Sequence, residues 1–145
     1  MTGLQTSLTP TAPLGHVACI DDSEDILRLV ALALQQIGKL QTTTFSDARS
    51  ALAAFSEEKP DLILLDVMMP EMDGLEALNS ISSDAALAKI PVVFMTARVR
   101  PSEVSQYMTL GAAGVIPKPF DPITLSTTLR TIWLNWHCKS TGAEA

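Results

Sequence analysis

The sequence predicts an α/β domain built on one five-stranded parallel sheet, strand order 2-1-3-4-5, with helices on both faces. Three observations carry that prediction. Short apolar runs alternate five times with amphipathic segments, and each right-handed crossover must return the chain to the same end of a parallel sheet. Of 145 residues, 47% are apolar but only 5% aromatic, so the core must come from Leu, Ile, Val, Ala and Met, which suits strands covered on both faces. Finally, the polar residue that closes each apolar run differs from strand to strand, and this orders the strands.

His16 to Ile20 forms the first strand, and Ser23 to Ile37 the first helix, with Ile26, Val30, Ala33 and Ile37 on one stripe. Gly38 supplies the stop. Leu40 to Phe45 is a Thr-rich second strand, after which Ser46 caps an Ala-rich helix running to about Glu58, before Pro60. Asp61 to Leu65 is the third strand, continuously apolar after its first residue. A turn-rich loop, Met68 to Gly74, leads into a short helix near Leu75 to Ser82. Pro91 opens the fourth strand, Val92 to Met95, and Pro101 starts a helix closed by Gly111. Val115 to Lys118 is the fifth strand, and Pro122, at a first helical turn, begins a last helix that ends near Trp136. Leu125, Leu129, Ile132 and Trp136 make its core-facing stripe, with Trp133 at the border and packing as the favoured reading.

In open α/β sheets the ligand site lies outside the carboxyl ends of the strands. Strand one ends in Asp21 and Asp22, strand three in Asp66, strand four in Thr96 and strand five in Lys118. Strand two contributes nothing comparable and therefore belongs at the far edge, beyond strand one. Pro117 agrees, because a proline removes a ladder donor and is best tolerated at the opposite edge.

The length suits a single core. Residues 1–15, rich in Thr and Pro, are expected to be a flexible lead-in, 16–137 the domain and 138–145 a tail. Ten basic against sixteen acidic side chains give a net charge of −6 without any basic cluster, which argues against direct nucleic-acid binding. Membrane insertion is excluded by the absence of a long apolar stretch, and residues 1–15 lack the layout of a secretory signal. Cys19 and Cys138 are far apart in sequence and read as reduced thiols in a cytoplasmic protein.

Carboxylates from adjacent strand ends repel one another unless protonated or neutralised by a cation. A hard, oxygen-liganded ion is the simpler solution, and Mg²⁺ fits a site with few carboxylates and no His or Cys ligand. A carboxylate beside Mg²⁺, a lysine and a hydroxyl is suited to attack phosphorus and form an acyl phosphate.

These residues, in this order, resemble the receiver domain of two-component response regulators. The matching motifs are Asp21-Asp22-Ser23, the segment from Asp66 through Pro70 and Asp73 to Gly74, Thr96-Ala97, and Lys118-Pro119-Phe120. The resemblance covers about His16 to Trp136 and implies a flavodoxin-like, CheY-like fold. It further implies that Asp66 is the phospho-acceptor and that Asp22, Asp66 and the backbone carbonyl of Met68 bind Mg²⁺, with Asp21 assisting through water. Thr96 and Lys118 would contact the phosphoryl oxygens, and Lys118-Pro119 would be a cis peptide. The donor would be a histidine kinase or a histidine phosphotransfer protein, and a downstream protein would bind the face formed by the fourth helix, fifth strand and fifth helix. Such a domain catalyses only its own phosphorylation and dephosphorylation. One position departs from the family: Val115 stands where receivers commonly have Tyr or Phe.

With only Cys138 to Ala145 after the last helix, the expectation is a stand-alone receiver. Two other readings compete: a Mg²⁺ phosphohydrolase of the haloacid dehalogenase type, which typically needs an Asp where Met68 stands, and a structural module that is never phosphorylated. Asp73 and Glu71 are explained by a turn, and His16 and His137 read as solvated residues near the termini.

Overall fold

The computed structural model describes residues 13–140. Five strands, β1 (His16–Ile20), β2 (Gln41–Phe45), β3 (Leu62–Asp66), β4 (Val92–Thr96) and β5 (Gly114–Pro117), pair in parallel in the order β2-β1-β3-β4-β5. The helices between and after them are α1 (Glu24–Leu32), α2 (Ala48–Phe55), α3 (Gly74–Ser83), α4 (Pro101–Thr109) and α5 (Leu125–Ser140). Among the described residues no helix is long and apolar enough to cross a membrane.

Successive side chains on each strand point to opposite faces, and this splits the core in two. Val17, Cys19, Leu64 and Met95 pack with Leu27 and Val30 of α1, with Leu34 just beyond it, and with Leu125, Leu129 and Trp133 of α5. Ala18, Ile20, Leu65 and Phe94 pack with Phe55, Leu78, Ile81 and Tyr107 from α2, α3 and α4. Every residue of β3 is buried, which is why that strand reads as a continuous apolar run instead of an alternation. Each such Leu or Ile contributes about 1.5–3 kcal/mol of burial free energy.

Several local expectations are corrected. The first helix changes to a π turn over Ala33–Ile37, where each residue advances the helix by a smaller angle than in an α-helix. The stripe therefore shifts: Leu27, Val30, Ala33 and Leu34 are buried, while Ile37 is 47% exposed. Gly38 does not supply the left-handed stop, because its φ is −85° and Lys39 carries the positive φ of 59°. Gly38 is instead a contact residue, since a Cβ there would lie 2.5 Å from the Ser126 Cβ of α5. Its carbonyl accepts a 2.7 Å hydrogen bond from Arg130 Nη2, which pins α5 to the end of the first helix.

Asp47, not Ser46, caps α2, its carboxylate accepting from the Ser50 N–H at 2.8 Å and the Ser50 hydroxyl at 2.9 Å. The Ser50 backbone bond, then its hydroxyl bond, holds the Asp47 carboxyl below the usual carboxylate range. Asp61 falls just outside β3, its Oδ2 accepting from the Gly15 and His16 N–H groups at 3.1 and 2.8 Å. Leu14 is buried and Gly15 is clasped in this way, so packing begins before β1; residues 1–12 lie outside the described residues. Pro122 sits in a turn closed by Asp121, whose Oδ1 accepts from the Ile123 N–H at 2.9 Å, and α5 starts three residues later.

The last helix also turns its stripe. Trp133 is buried with Leu125 and Leu129, at i, i+4 and i+8, whereas half-buried Trp136 donates its indole N–H to the Lys89 carbonyl at 3.3 Å. Neither histidine is simply solvated. His16 Nε2 lies 2.8 Å from Thr43 Oγ1, and the His137 ring meets Trp133 edge-on at 4.0 Å between centroids.

Candidate functional site

Parallel register brings the strand ends together. Ile20 lies opposite Leu65, Asp66 opposite Met95, and Thr96 opposite Pro117, so the residues that close β1, β3, β4 and β5 emerge along one edge of the sheet. Asp21, Asp22 and Asp66 each offer an oxygen within 4.8 Å of the others. Lys118 Nζ lies 2.8 Å from Asp21 Oδ2 and 3.2 Å from Asp66 Oδ1.

Local structure holds each group. Asp21 is fully buried; its Oδ1 accepts from the Ser23 N–H at 2.9 Å, while the Ser23 hydroxyl caps α1 by accepting from Ile26 at 3.3 Å. Asp22 is exposed, facing solvent beside its buried neighbour. Asp66 Oδ1 also accepts from the Met68 N–H at 3.4 Å, and the Met68 side chain is 56% exposed. Thr96 is buried, with its hydroxyl oxygen accepting from the Arg98 N–H at 3.0 Å. Lys118 is fixed through its backbone, its N–H donating to the Thr96 carbonyl at 2.9 Å, and its bond to Pro119 is cis.

The electrostatics follow from burial. Burial, then the Asp21 charge, pushes the Asp66 carboxyl up to about 6 against the opposing pull of Lys118. Burial works to lower the Lys118 ammonium, but the hydrogen bond and charge of Asp21, together with Asp66, outweigh it and leave Lys118 raised. Cys19 lies beneath the cluster with its thiol pushed well up, by burial first and then by Asp21. It is thus a neutral thiol, and the ligand cluster of Asp21, Asp22 and Asp66 does not include it.

Among the described residues the donor set is accordingly three carboxylates without His or Cys, which suits a hard divalent cation that prefers oxygen. Asp73 and Glu71 stay out of it. Asp73 caps α3, accepting from the Glu76 N–H at 2.9 Å, and Glu76 returns the bond at 3.1 Å.

One contributor entered the sequence reading only as the last residue of a motif. Gly74 packs so tightly under the site that a Cβ would lie 2.5 Å from the Asp66 carbonyl oxygen and 2.8 Å from Val67 Cα. Its N–H also donates to the Val67 carbonyl at 2.9 Å. The available signal was a glycine at a first helical position, where helix geometry alone does not require one.

The family model described as the response regulator receiver domain matches residues 17–130. The chain belongs to that family. Among solved structures, the receiver resembles the chemotaxis response regulator CheY4 of Vibrio cholerae, with a TM-score of 0.76, 31% identity, and coverage of 82% of this chain and 98% of that one. It also matches NtrX from Brucella abortus, with a TM-score of 0.79 and 28% identity over 90% of this chain and 29% of NtrX. Among curated relatives, the phosphate regulon transcriptional regulatory protein PhoB of Pseudomonas aeruginosa is 31% identical over 116 residues, 80% of this receiver and 50% of PhoB. The chain spans about half the length of several curated relatives it matches. It is a receiver domain of the two-component response regulator type, with an acidic cluster able to hold a metal.

Proposed function

We propose that Asp66 accepts a phosphoryl group from a histidine kinase or a histidine phosphotransfer protein, and that the phosphorylated receiver changes its affinity for a downstream protein. The observation that carries this reading is the single ammonium of Lys118 set 2.8 Å from Asp21 and 3.2 Å from Asp66 at the sheet edge. An acceptor needs a carboxylate oxygen close to a fixed positive charge, and Asp66 has that arrangement.

Asp22, Asp66 and the backbone carbonyl of Met68 would hold Mg²⁺, with Asp21 acting through water. When bound, the ion supplies positive charge that offsets the carboxylates and the phosphoryl oxygens. An Asp66 carboxylate oxygen forms the new bond to phosphorus as the bond from phosphorus to the donor nitrogen breaks, that electron pair leaving with the donor imidazole. Lys118 and the Thr96 hydroxyl contact the phosphoryl oxygens as charge spreads over them. The receiver acts on itself and turns over no separate substrate.

The domain spans 16–137 in this reading and works in the cytoplasm, in keeping with the buried, unbridged thiol of Cys19. Partner binding falls to the α4, β5 and α5 face, where Val99, Met108 and Leu110 are partly exposed. Val115 of β5 has no ring to swing inward, and Thr96 is tied to the β4 to α4 loop by the Arg98 N–H. The phosphorylated state then biases an existing equilibrium through its better contacts with one conformation.

Incubation with acetyl phosphate and Mg²⁺, followed by intact mass measurement, tests the reading. One added phosphoryl group is expected on the wild type, none after Asp66→Asn and none in excess chelator. Sustained release of phosphate from simple esters would instead favour a phosphohydrolase.

A further inference from the structure

The π turn does more than release Ile37 from the core. Five residues at about 82° each, instead of the roughly 100° of an α-helix, set Ile37 about 50° from Leu32 around the axis, where an unbroken α-helix would set it about 140° away. Leu29 lies about 60° from Leu32 on the same side. Leu29, Leu32 and Ile37 therefore line up as one aliphatic stripe along the outside of the first helix. They are 38%, 60% and 47% exposed, and among the described residues none of the three belongs to either core cluster.

The flanks of the helix fix where the stripe runs. On the far flank Gln35 donates its side-chain amide to the Thr42 carbonyl of the edge strand β2 at 3.3 Å. The stripe thus runs along the side away from β2, toward α5, whose Ser126 and Arg130 meet Gly38 at the helix end.

Its two ends carry opposite charge. Exposed Glu24 and Asp25 open the helix with Arg28 as their shared cation, at 3.5 and 3.6 Å, so that end keeps a net negative charge. Asp25 stands within about 20° of Leu32 around the axis, two turns earlier. At the other end stand exposed Lys39 and the Arg130 guanidinium, and neither residues 33–41 nor α5 contains an acid. Leu32 is midway in sequence between Asp25 and Lys39. A face that is acidic, then aliphatic, then basic is complementary to itself when reversed.

We infer that this face pairs with a second copy of the chain, first helix antiparallel to first helix, about a two-fold axis passing at Leu32. In such an isologous contact every pairing occurs twice: Leu29 faces Ile37 of the second copy, and Asp25 faces its Lys39. A different protein would have to present both charges in reverse order around an apolar centre, whereas a second copy does so by symmetry. Three aliphatic side chains from each copy make a small interface, so the dissociation constant is on the order of 100 μM. The charge pairs at its rim set the antiparallel direction and add little affinity.

Sedimentation equilibrium of the full chain from about 10 μM to about 1 mM tests this. The wild type is expected to pass from monomer to dimer over that range. Leu32→Glu, checked for retained fold by circular dichroism, should weaken the dimer at least tenfold, because it sets two like charges on the two-fold axis. Met108→Glu, at an exposed position of α4 on the other side of the sheet, should match wild type. Asp25→Lys and Lys39→Asp should each weaken association about fivefold at low salt, and Asp25→Lys/Lys39→Asp should return it to within about twofold of wild type. A wild type still monomeric at the top concentration overturns the proposal. So does a dimer that survives Leu32→Glu, one that is lost in Met108→Glu and hence belongs to α4, or a double exchange no better than its parents. If the wild type is monomeric and binding of a histidine phosphotransfer protein, measured by calorimetry, is lost in Leu32→Glu, the stripe belongs to that partner and the pairing of copies is refuted.

Discussion

Replacing Asp66 by Asn is expected to stabilise the metal-free protein, and the gain should grow with pH. Asp66 is buried with a side-chain exposure of 6%, and its carboxyl is pushed from 3.8 up to about 6 by burial and then by Asp21. A carboxyl with a raised folded pKa keeps its proton better in the folded state. Its contribution is intact below the unfolded value and is lost as pH rises from 3.8 through 6. Integrated over that window, ionised Asp66 costs about 3 kcal/mol at pH 7.5 and about 1 kcal/mol at pH 4.5. The amide keeps an acceptor for Lys118 without the charge and so removes the cost. Urea denaturation in excess chelator, followed by tryptophan fluorescence, should therefore show Asp66→Asn more stable by these amounts at the two pH values. Adding Mg²⁺ should raise the wild type, by about 2.7 kcal/mol at one hundred times its dissociation constant, and leave the variant nearly unchanged. A variant less stable than wild type, or a gain independent of pH, would refute the view that Asp66 is held in a repulsive, desolvated cluster.

Lys118→Ala leaves buried Asp21 and Asp66 without their shared cation, and a loss of about 3 kcal/mol is expected at pH 7.5 without metal, measured by the same denaturation. Gly74→Ala places a Cβ against the backbone of Asp66 and Val67; it should cost about 1–3 kcal/mol and slow phosphorylation by acetyl phosphate. Gly38→Ala collides with Ser126, so thermal melting should drop for the single variant and recover in Gly38→Ala/Ser126→Gly, whereas additive losses would show that the contact is not the cause.

Sequence reasoning reached the strand order and the convergence of the strand-end side chains because both depend on one rule: what stands where each apolar run stops. Asp21, Asp66, Thr96 and Lys118 converge as a direct consequence of parallel register. Features set by contacts between distant segments were not legible. Nothing local distinguishes Gly38 as a contact with Ser126 from a glycine that ends a helix, and no pattern announces the π turn that exposes Ile37. Periodicity likewise placed Trp136 on the stripe and Trp133 at its border, whereas Trp133 is the buried one, because both lie near the same stripe and small differences in helix phase decide which faces inward. The tight packing of Gly74 needed coordinates, since a close approach is a fact about neighbours.

In the proposed reaction, the carboxylate cluster and Lys118 make one oxygen of Asp66 the place where phosphorus is captured. Borohydride reduction of the protein after phosphorylation in Mg²⁺ converts an aspartyl phosphate to homoserine, and peptide mass mapping then locates it. Homoserine is expected at position 66 alone. Reduction at any other aspartate, or an acid-stable phosphate on a hydroxyl side chain, would contradict it.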